Sequence, residues 1–315
     1  MNFKVRIGKY DIRNGLPCVV IAEIGINHNG SLEIAKKLID AASDAGCQAV
    51  KFQKRTVSVV YSEKKLAEPR EIPREVLETA VVRDALPREN VERLKRTDFT
   101  ETTTGDLKYA LEFNESDLRE LFDYAKKKGL LAFASPWDEE SVDVLERLDV
   151  SCYKVASATI TDIALLKKIK ATGKPTILST GMATMGQVLE AMKVFGEREI
   201  IILHTVATYP AIDEDLNLSV IKTLQETFPR VPIGYSGHED GIIHSIAAVA
   251  MGACVVERHV TLDKSMYGSD QSASIEPNEL KEMVVGIRRV ESGRGKAEKR
   301  ILDAEIPVIK KLRRK

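Results

Sequence analysis

Pro232-Ile-Gly-Tyr-Ser-Gly-His238 and Ala253-Cys-Val-Val-Glu-Arg-His259 are two short apolar runs, each ending on a histidine, with a helical pattern at 244–251 between them. They read as strand, helix, strand, with a polar side chain delivered at the C-terminal end of each strand. The same unit recurs along the chain. Apolar, β-rich runs occur at 19–26, 49–53, 130–135, 152–157, 175–180, 199–205, 232–237 and 253–260, separated by polar junctions and helical stretches. The runs are nearly continuous rather than alternating, as expected for parallel strands covered on both faces. Eight such units predict a (β/α)8 TIM barrel. A doubly wound sheet is the alternative, but Gly25-Ile-Asn-His-Asn-Gly30 lacks the glycine spacing of a dinucleotide-binding turn.

Several helices are legible from their spacing. Ala35, Leu38, Ile39 and Ala42 keep one apolar stripe that Gly46 ends. Leu118, Leu121, Phe122 and Ala125 repeat it between an N-cap at Asn114 and a stop at Gly129. Asn14-Gly15 predicts a hairpin turn, so residues 3–13 and the following segment form a short leading ribbon. Residues 54–114 are a long, highly charged insertion after the second strand. Barrel topology places it at the catalytic face, as a lid, an oligomer contact or a solvated excursion. The barrel domain is expected over residues 1–295, with a basic tail at 296–315. From Gly293 onward the chain carries nine Lys/Arg against three Asp/Glu, which reads as a solvated helix or docking arm.

Composition narrows the function classes. Across 315 residues, 47 Lys/Arg balance 47 Asp/Glu, so no global field favours nucleic acid or an anionic membrane. No apolar stretch approaches a membrane span, and the first residues lack the apolar centre of a signal peptide. Cys18, Cys47, Cys152 and Cys254 have no CxxC spacing and are expected as buried reduced thiols. A cytoplasmic protein is expected.

The strand ends collect chemistry. Glu23, Lys51 and Gln53, Ser135, Lys154 and Ser157, Ser179 and Thr180, His204 and Thr205, Ser236 and His238, and Glu257 and His259 all fall where a barrel presents its active site. His238 and His259 suit a divalent cation with open positions, or are ordinary strand-end residues bonded to backbone. Lys51 and Lys154 lie inside apolar strands, where an unpaired ammonium is costly. A phosphate or carboxylate ligand, pairing with Glu23 or Glu257, or Schiff-base chemistry would each account for them. The hydroxyls of Ser135, Ser157, Ser179 and Thr180, with backbone N–H groups at Gly181-Met182, suit a phosphate. Glu23, Gln53 and Asp270 remain for proton transfer and for binding a polyhydroxy substrate.

Ile21-Ala-Glu-Ile-Gly-Ile-Asn-His-Asn-Gly30, Ala49-Val-Lys-Phe-Gln53, Tyr153-Lys-Val-Ala-Ser157, Ile177-Leu-Ser-Thr-Gly-Met182 and Glu257-Arg-His-Val-Thr-Leu-Asp263 resemble, in that order, the N-acetylneuraminate (sialic acid) synthase family. The resemblance spans roughly residues 3–295. It implies a barrel that condenses phosphoenolpyruvate with an N-acylated amino sugar, using Mn2+ or another divalent ion such as Mg2+ or Co2+. It further implies His238 and His259 as metal ligands and Lys51, Ser135, Lys154, Ser157 and Ser179 as the phosphoenolpyruvate site. Glu23 becomes the acidic residue near the reacting centre, and Gln53, Tyr209 and Asp270 become sugar contacts. A homo-oligomer, dimer or higher, is expected. Two departures stand out: Ser236-Gly237-His238 replaces the family's Ser-Asp-His, and residues 296–315 do not supply its antifreeze-like domain. The competing readings are a 3-deoxy-octulosonate phosphate-type synthase, a Schiff-base aldolase using Lys154, and a non-catalytic sugar-acid-binding relative.

Overall fold

A computed structural model describes residues 3–314. Strands β1 (Val5–Ile7) and β2 (Tyr10–Ile12) pair antiparallel as the leading ribbon. Its turn falls at Gly8-Lys9, not at Asn14-Gly15. Asn14 instead caps a strand edge: its side-chain amide donates to Val231 O at 3.4 Å and its Oδ1 accepts from Ile233 N–H at 3.2 Å. An Asx side chain that satisfies distant backbone can resemble a hairpin turn in sequence.

Eight parallel strands follow: β3 (Val19–Gly25), β4 (Ala49–Lys54), β5 (Leu131–Pro136), β6 (Tyr153–Val155), β7 (Thr176–Ser179), β8 (Ile200–Thr205), β9 (Ile233–Gly237) and β10 (Val255–His259). Their spatial order is β5-β4-β3-β10-β9-β8-β7-β6. β5 and β6 stand side by side at the seam and bring the sheet round to a (β/α)8 barrel. β3, β8, β9 and β10 are buried at every residue, because helices cover the outer face and opposite strands fill the inner one. The helix after β3 shows the local logic. Ser31 accepts from Ile34 N–H at its start, Ala35, Leu38, Ile39 and Ala42 form the buried stripe, and Gly46 at φ 84° closes it. Cys18, Cys47, Cys152 and Cys254 are buried and unbridged.

The insertion after β4 is folded. It contains helices at Arg74–Val82, Arg88–Arg96 and Thr104–Leu111, which enclose a separate small core that includes Val76, Leu77, Leu94 and Leu107. Asp106, fully buried, holds this core together. It takes a bidentate Arg93 at 2.7 and 2.8 Å, Asn90 at 2.8 Å, and the N–H of Thr103 at 2.7 Å. Tyr267 joins the insertion to the loop after β10, accepting from Arg70 at 3.2 Å and donating to Glu71 O at 3.0 Å. Beyond the helix Pro277–Arg294, the tail forms a short helix at Ile306–Leu312 with Ile306, Val308 and Leu312 exposed. No helix among the described residues is long and apolar enough to cross a membrane.

Candidate active site

Side chains alternate along each strand, so every second residue faces the barrel interior. On β4 these are Lys51 and Gln53, on β9 Ser236 with His238 one residue past its end, and on β10 Glu257 and His259. The parallel register sets His259 beside Glu23 and Glu23 beside Lys51. Together they line one cavity of about 360 Å3 at the C-terminal mouth. All eleven residues that the family resemblance implies as site residues, namely Glu23, Lys51, Gln53, Ser135, Lys154, Ser157, Ser179, Tyr209, His238, His259 and Asp270, line this same cavity.

Two buried lysines form one end. Lys51 Nζ stands 2.7 Å from Glu23 Oε2 and 3.7 Å from Glu257 Oε1, and it donates to Ser135 Oγ at 3.1 Å. Burial opposes its charge, but Glu23 and Glu257 outweigh that and hold its ammonium above the ordinary lysine value. Lys154 Nζ donates to Ser179 Oγ at 2.6 Å and lies 3.4 Å from Glu257 Oε1. Here burial prevails and pulls the ammonium down to about 8. The two carboxylates are driven apart. Burial raises Glu23 to about 7, whereas Glu257, despite its burial, is held below the usual range by Lys154 and Lys51. One acid that shares a proton near neutrality beside one that stays ionised is an arrangement suited to proton transfer.

The histidines form the middle. His238 Nδ1 lies 2.6 Å from the carbonyl of Val206, so that nitrogen carries the proton and Nε2 is a bare lone pair. The His238 and His259 rings are 5.4 Å apart. His259 Nδ1 is buried with no hydrogen-bond partner and faces Asp270 Oδ2 at 3.9 Å. Burial pushes both imidazoles down to about 3, which keeps them neutral. Two neutral imidazoles, one with an orphaned ring nitrogen, could hold a divalent cation with positions left open; among the described residues no third His, Cys, Asp or Glu completes a ligand cluster with them. The Tyr209 ring lies tilted against the His238 ring, with their centres 4.2 Å apart.

A buried ion pair supports the two histidines from outside the barrel. Glu239 follows His238 and Arg258 precedes His259; both are 0% exposed. Arg258 Nη1 donates to Glu239 Oε1 at 2.9 Å and to Gly241 O at 2.7 Å, and Nη2 donates to Glu239 O at 2.6 Å. Tyr235 OH donates to Glu239 Oε2 at 2.8 Å. Gly237 is required here. A Cβ on it would collide with Glu239 Oε2 and come within 2.7 Å of the Tyr235 ring. The carboxylate expected one residue before His238 is therefore replaced in space by Glu239.

Some expected groups turn elsewhere. Thr180 donates to Leu203 O at 3.0 Å, and Gly181 N–H donates to Ser157 Oγ at 3.1 Å, so neither is free for a phosphate. His204 bonds to Leu216 O at 2.7 Å, outside the cavity. Other groups were missed. The insertion contributes Arg55, Tyr61 and Lys108 to the cavity wall, and Trp137 follows β5. Glu257 was read only as a partner for the lysines, yet it bridges both of them.

A family model described as the NeuB family matches residues 38–299. The chain belongs to the NeuB family. Human N-acetylneuraminate-9-phosphate synthase is 39% identical to it, with 94% of this chain and 76% of that one aligned. An uncharacterised protein of Methanocaldococcus jannaschii is 38% identical over 99% of this chain and 82% of its own length. The crystal structure of an N-acetylneuraminic acid synthetase from Leptospira borgpetersenii, in complex with citrate, superposes with a TM-score of 0.79 at 31% identity. That match covers 100% of this chain and 99% of the other. A truncated 3-deoxy-D-arabino-heptulosonate 7-phosphate synthase from Thermotoga maritima shares the barrel at 15% identity and a TM-score of 0.63, with 93% of each chain covered. The barrel and the family expected from the sequence both hold for this NeuB family chain.

Proposed function

We propose that this NeuB family chain condenses phosphoenolpyruvate with the open-chain aldehyde of an N-acylated amino sugar, giving a 2-keto-3-deoxy sugar acid and phosphate. Support comes from relatives named as N-acetylneuraminate-9-phosphate, N,N'-diacetyllegionaminic acid and pseudaminic acid synthases. The observation that carries the reading is one cavity with a cationic, hydroxyl-lined end at Lys51, Lys154, Ser135 and Ser179 and a pair of neutral imidazoles beside it. The first end suits a small dianion. Lys51 and Lys154 hold the carboxylate and phosphate charge, and Ser135, Ser157 and Ser179 orient it. A divalent ion, Mn2+ foremost, fits His238 and His259 with Asp270 nearby, and when bound it supplies Lewis-acid polarisation of the sugar carbonyl.

The chain's own residues then serve each step. C3 of phosphoenolpyruvate attacks the aldehyde carbon, and Glu23, poised near 7, delivers the proton to the developing alkoxide. Water adds to the cationic C2, and its proton passes to the Glu23 carboxylate. The C2–O bond to phosphate breaks, the proton of the C2 hydroxyl leaves with the phosphate, and C2 becomes a ketone. Gln53 donates to Glu23 Oε1 at 3.2 Å and keeps that carboxyl aimed. The test is phosphate release over a panel of N-acyl hexosamines with Mn2+. Release that needs phosphoenolpyruvate, sugar and metal together supports the reading, and no release with any sugar contradicts it. The low Lys154 value also favours a Schiff-base aldolase; borohydride trapping of pyruvate on Lys154 would identify that chemistry instead.

A further inference from the structure

The cationic end of the cavity is already full. An ammonium has three N–H donors, and those of Lys51 face Glu23 Oε2 at 2.7 Å, Ser135 Oγ at 3.1 Å and Glu257 Oε1 at 3.7 Å. Those of Lys154 face Ser179 Oγ at 2.6 Å, Val155 O at 3.4 Å and Glu257 Oε1 at 3.4 Å. A dianion that enters here must therefore take the place of one of these partners. The hydroxyls of Ser135 and Ser179 can turn and donate to the newcomer, so they stay. Glu257 is held from three sides, because its Oε1 serves both lysines and accepts from Ser236 Oγ at 3.4 Å. Glu23 is the partner that can leave. Its Oε2 pairs only with Lys51 among the described residues, while Oε1 already accepts from Gln53 at 3.2 Å. The backbone beneath it makes room. The register of β3 against β4 shifts between Glu23 and Gly25, and Gly25 is at φ 54°. A Cβ on Gly25 would come within 3.1 Å of Glu23 Oε1, 3.2 Å of His259 Cε1 and 3.3 Å of Gln53 Nε2. The missing methyl group leaves a gap bounded by the carboxyl, the imidazole and the amide.

We propose that Glu23 is the free protein's own occupant of the anion site: phosphoenolpyruvate displaces its carboxylate from Lys51, and the carboxylate moves over Gly25 toward Gln53 and the His259 ring. The proposal rests on the condensation reading and deepens it, because the arrival of one substrate then positions the acid for the aldehyde of the other. Charge sets the direction of the exchange. With Glu23 and Glu257 both in place, the two lysines are balanced and a dianion meets no net attraction. Once Glu23 leaves, Lys51 turns a donor to the ligand and the ligand's charge replaces the lost one, so the buried ammonium is never unpaired. The displaced carboxylate keeps the Gln53 amide as its donor. Gly25 is then a positioning residue. A side chain there would fill the gap and press Glu23 back onto Lys51.

The test titrates phosphoenolpyruvate alone, without metal or sugar, into wild type, Glu23→Ala, Gly25→Ala and the double variant, and reads Kd by calorimetry. Glu23→Ala is expected to bind roughly 10- to 100-fold more tightly, since one contact between charged groups no longer has to be broken. Gly25→Ala is expected to weaken binding by roughly 10-fold where Glu23 is present and hardly at all where it is gone, the non-additivity of residues that share one space. Glu23→Gln, which keeps the shape and loses the charge, should also tighten binding, and it decides the matter if the Gly25 variants do not fold. Equal binding by wild type and Glu23→Ala, or weaker binding by Glu23→Ala, overturns the displacement while leaving the condensation standing. A Gly25→Ala effect of the same size in both backgrounds overturns it too. Binding to neither wild type nor Glu23→Ala overturns both.

Discussion

Replacing Glu239 by glutamine should weaken both the fold and the proposed metal site, and the size of each effect follows from the contacts. The guanidinium of Arg258 is wholly buried and Glu239 is the carboxylate it pairs with. Removing one partner of a buried pair costs about 3–5 kcal/mol, because the remaining charge stays desolvated. Arg258 keeps two backbone carbonyls, those of Glu239 and Gly241, so a value near 3 kcal/mol is expected. For a chain of this size that is a fall of about 4–5 °C in Tm. The pair ties the residue after His238 to the residue before His259, so losing it should also loosen both imidazoles. Neither imidazole bonds to the pair directly, so the effect on affinity comes through the backbone and is expected to be about 10-fold, the low end for residues that support metal-binding histidines. The assays are urea denaturation with scanning calorimetry for stability and isothermal calorimetry with Mn2+ for affinity. A combined Glu239→Leu, Arg258→Met variant, which removes both charges, should regain much of the stability but not the affinity. A Glu239→Gln protein as stable as wild type would refute the weight given to the ion pair. Lost stability with unchanged Mn2+ affinity would refute its role in positioning the histidines.

Three further outcomes follow from other parts of the molecule. Lys154 has a folded value of about 8, below its ordinary 10.5, so the unfolded chain binds more protons between those values and stability should rise with pH across that window. Phosphoenolpyruvate should restore the proton to Lys154. Calorimetry at pH 9 in buffers of differing ionisation enthalpy should show proton uptake on binding, and uptake that persists in Lys154→Met would contradict the assignment. In the insertion, Asp106→Ala leaves Arg93 without its buried carboxylate and removes a helix cap. Limited proteolysis should then cut within residues 84–104 while the barrel's far-ultraviolet signal persists, and resistance equal to wild type would refute Asp106 as the anchor.

The barrel was legible because its strands need apolar residues on both faces. The eight runs read from the sequence fall within two residues of the observed strands at nearly every end. The inward positions were legible for the same reason: Lys51, Lys154 and His259 are polar interruptions of runs that otherwise cannot hold them. The insertion was not. Its helices are short, and charged residues dominate Arg88–Arg96, where only Leu94 is buried, so no stripe rises above the background. Lys108 was hidden by that charge, since a lysine among many signals nothing until the fold turns it toward a cavity. Gly237 illustrates a third limit. Its missing carboxylate looked like a loss, and only the position of Glu239 shows that the space is already filled.

The central claim is that a carbon–carbon bond forms at C3 of phosphoenolpyruvate. Phosphoenolpyruvate labelled with 13C at C3 should be mixed with the enzyme, Mn2+ and each of a panel of N-acyl hexosamines, and followed by carbon NMR. The vinyl resonance is expected to become that of a methylene between an anomeric carbon and a hydroxyl-bearing carbon, in step with phosphate release. Label appearing as the methyl group of pyruvate, or staying in the vinyl position, would contradict the account.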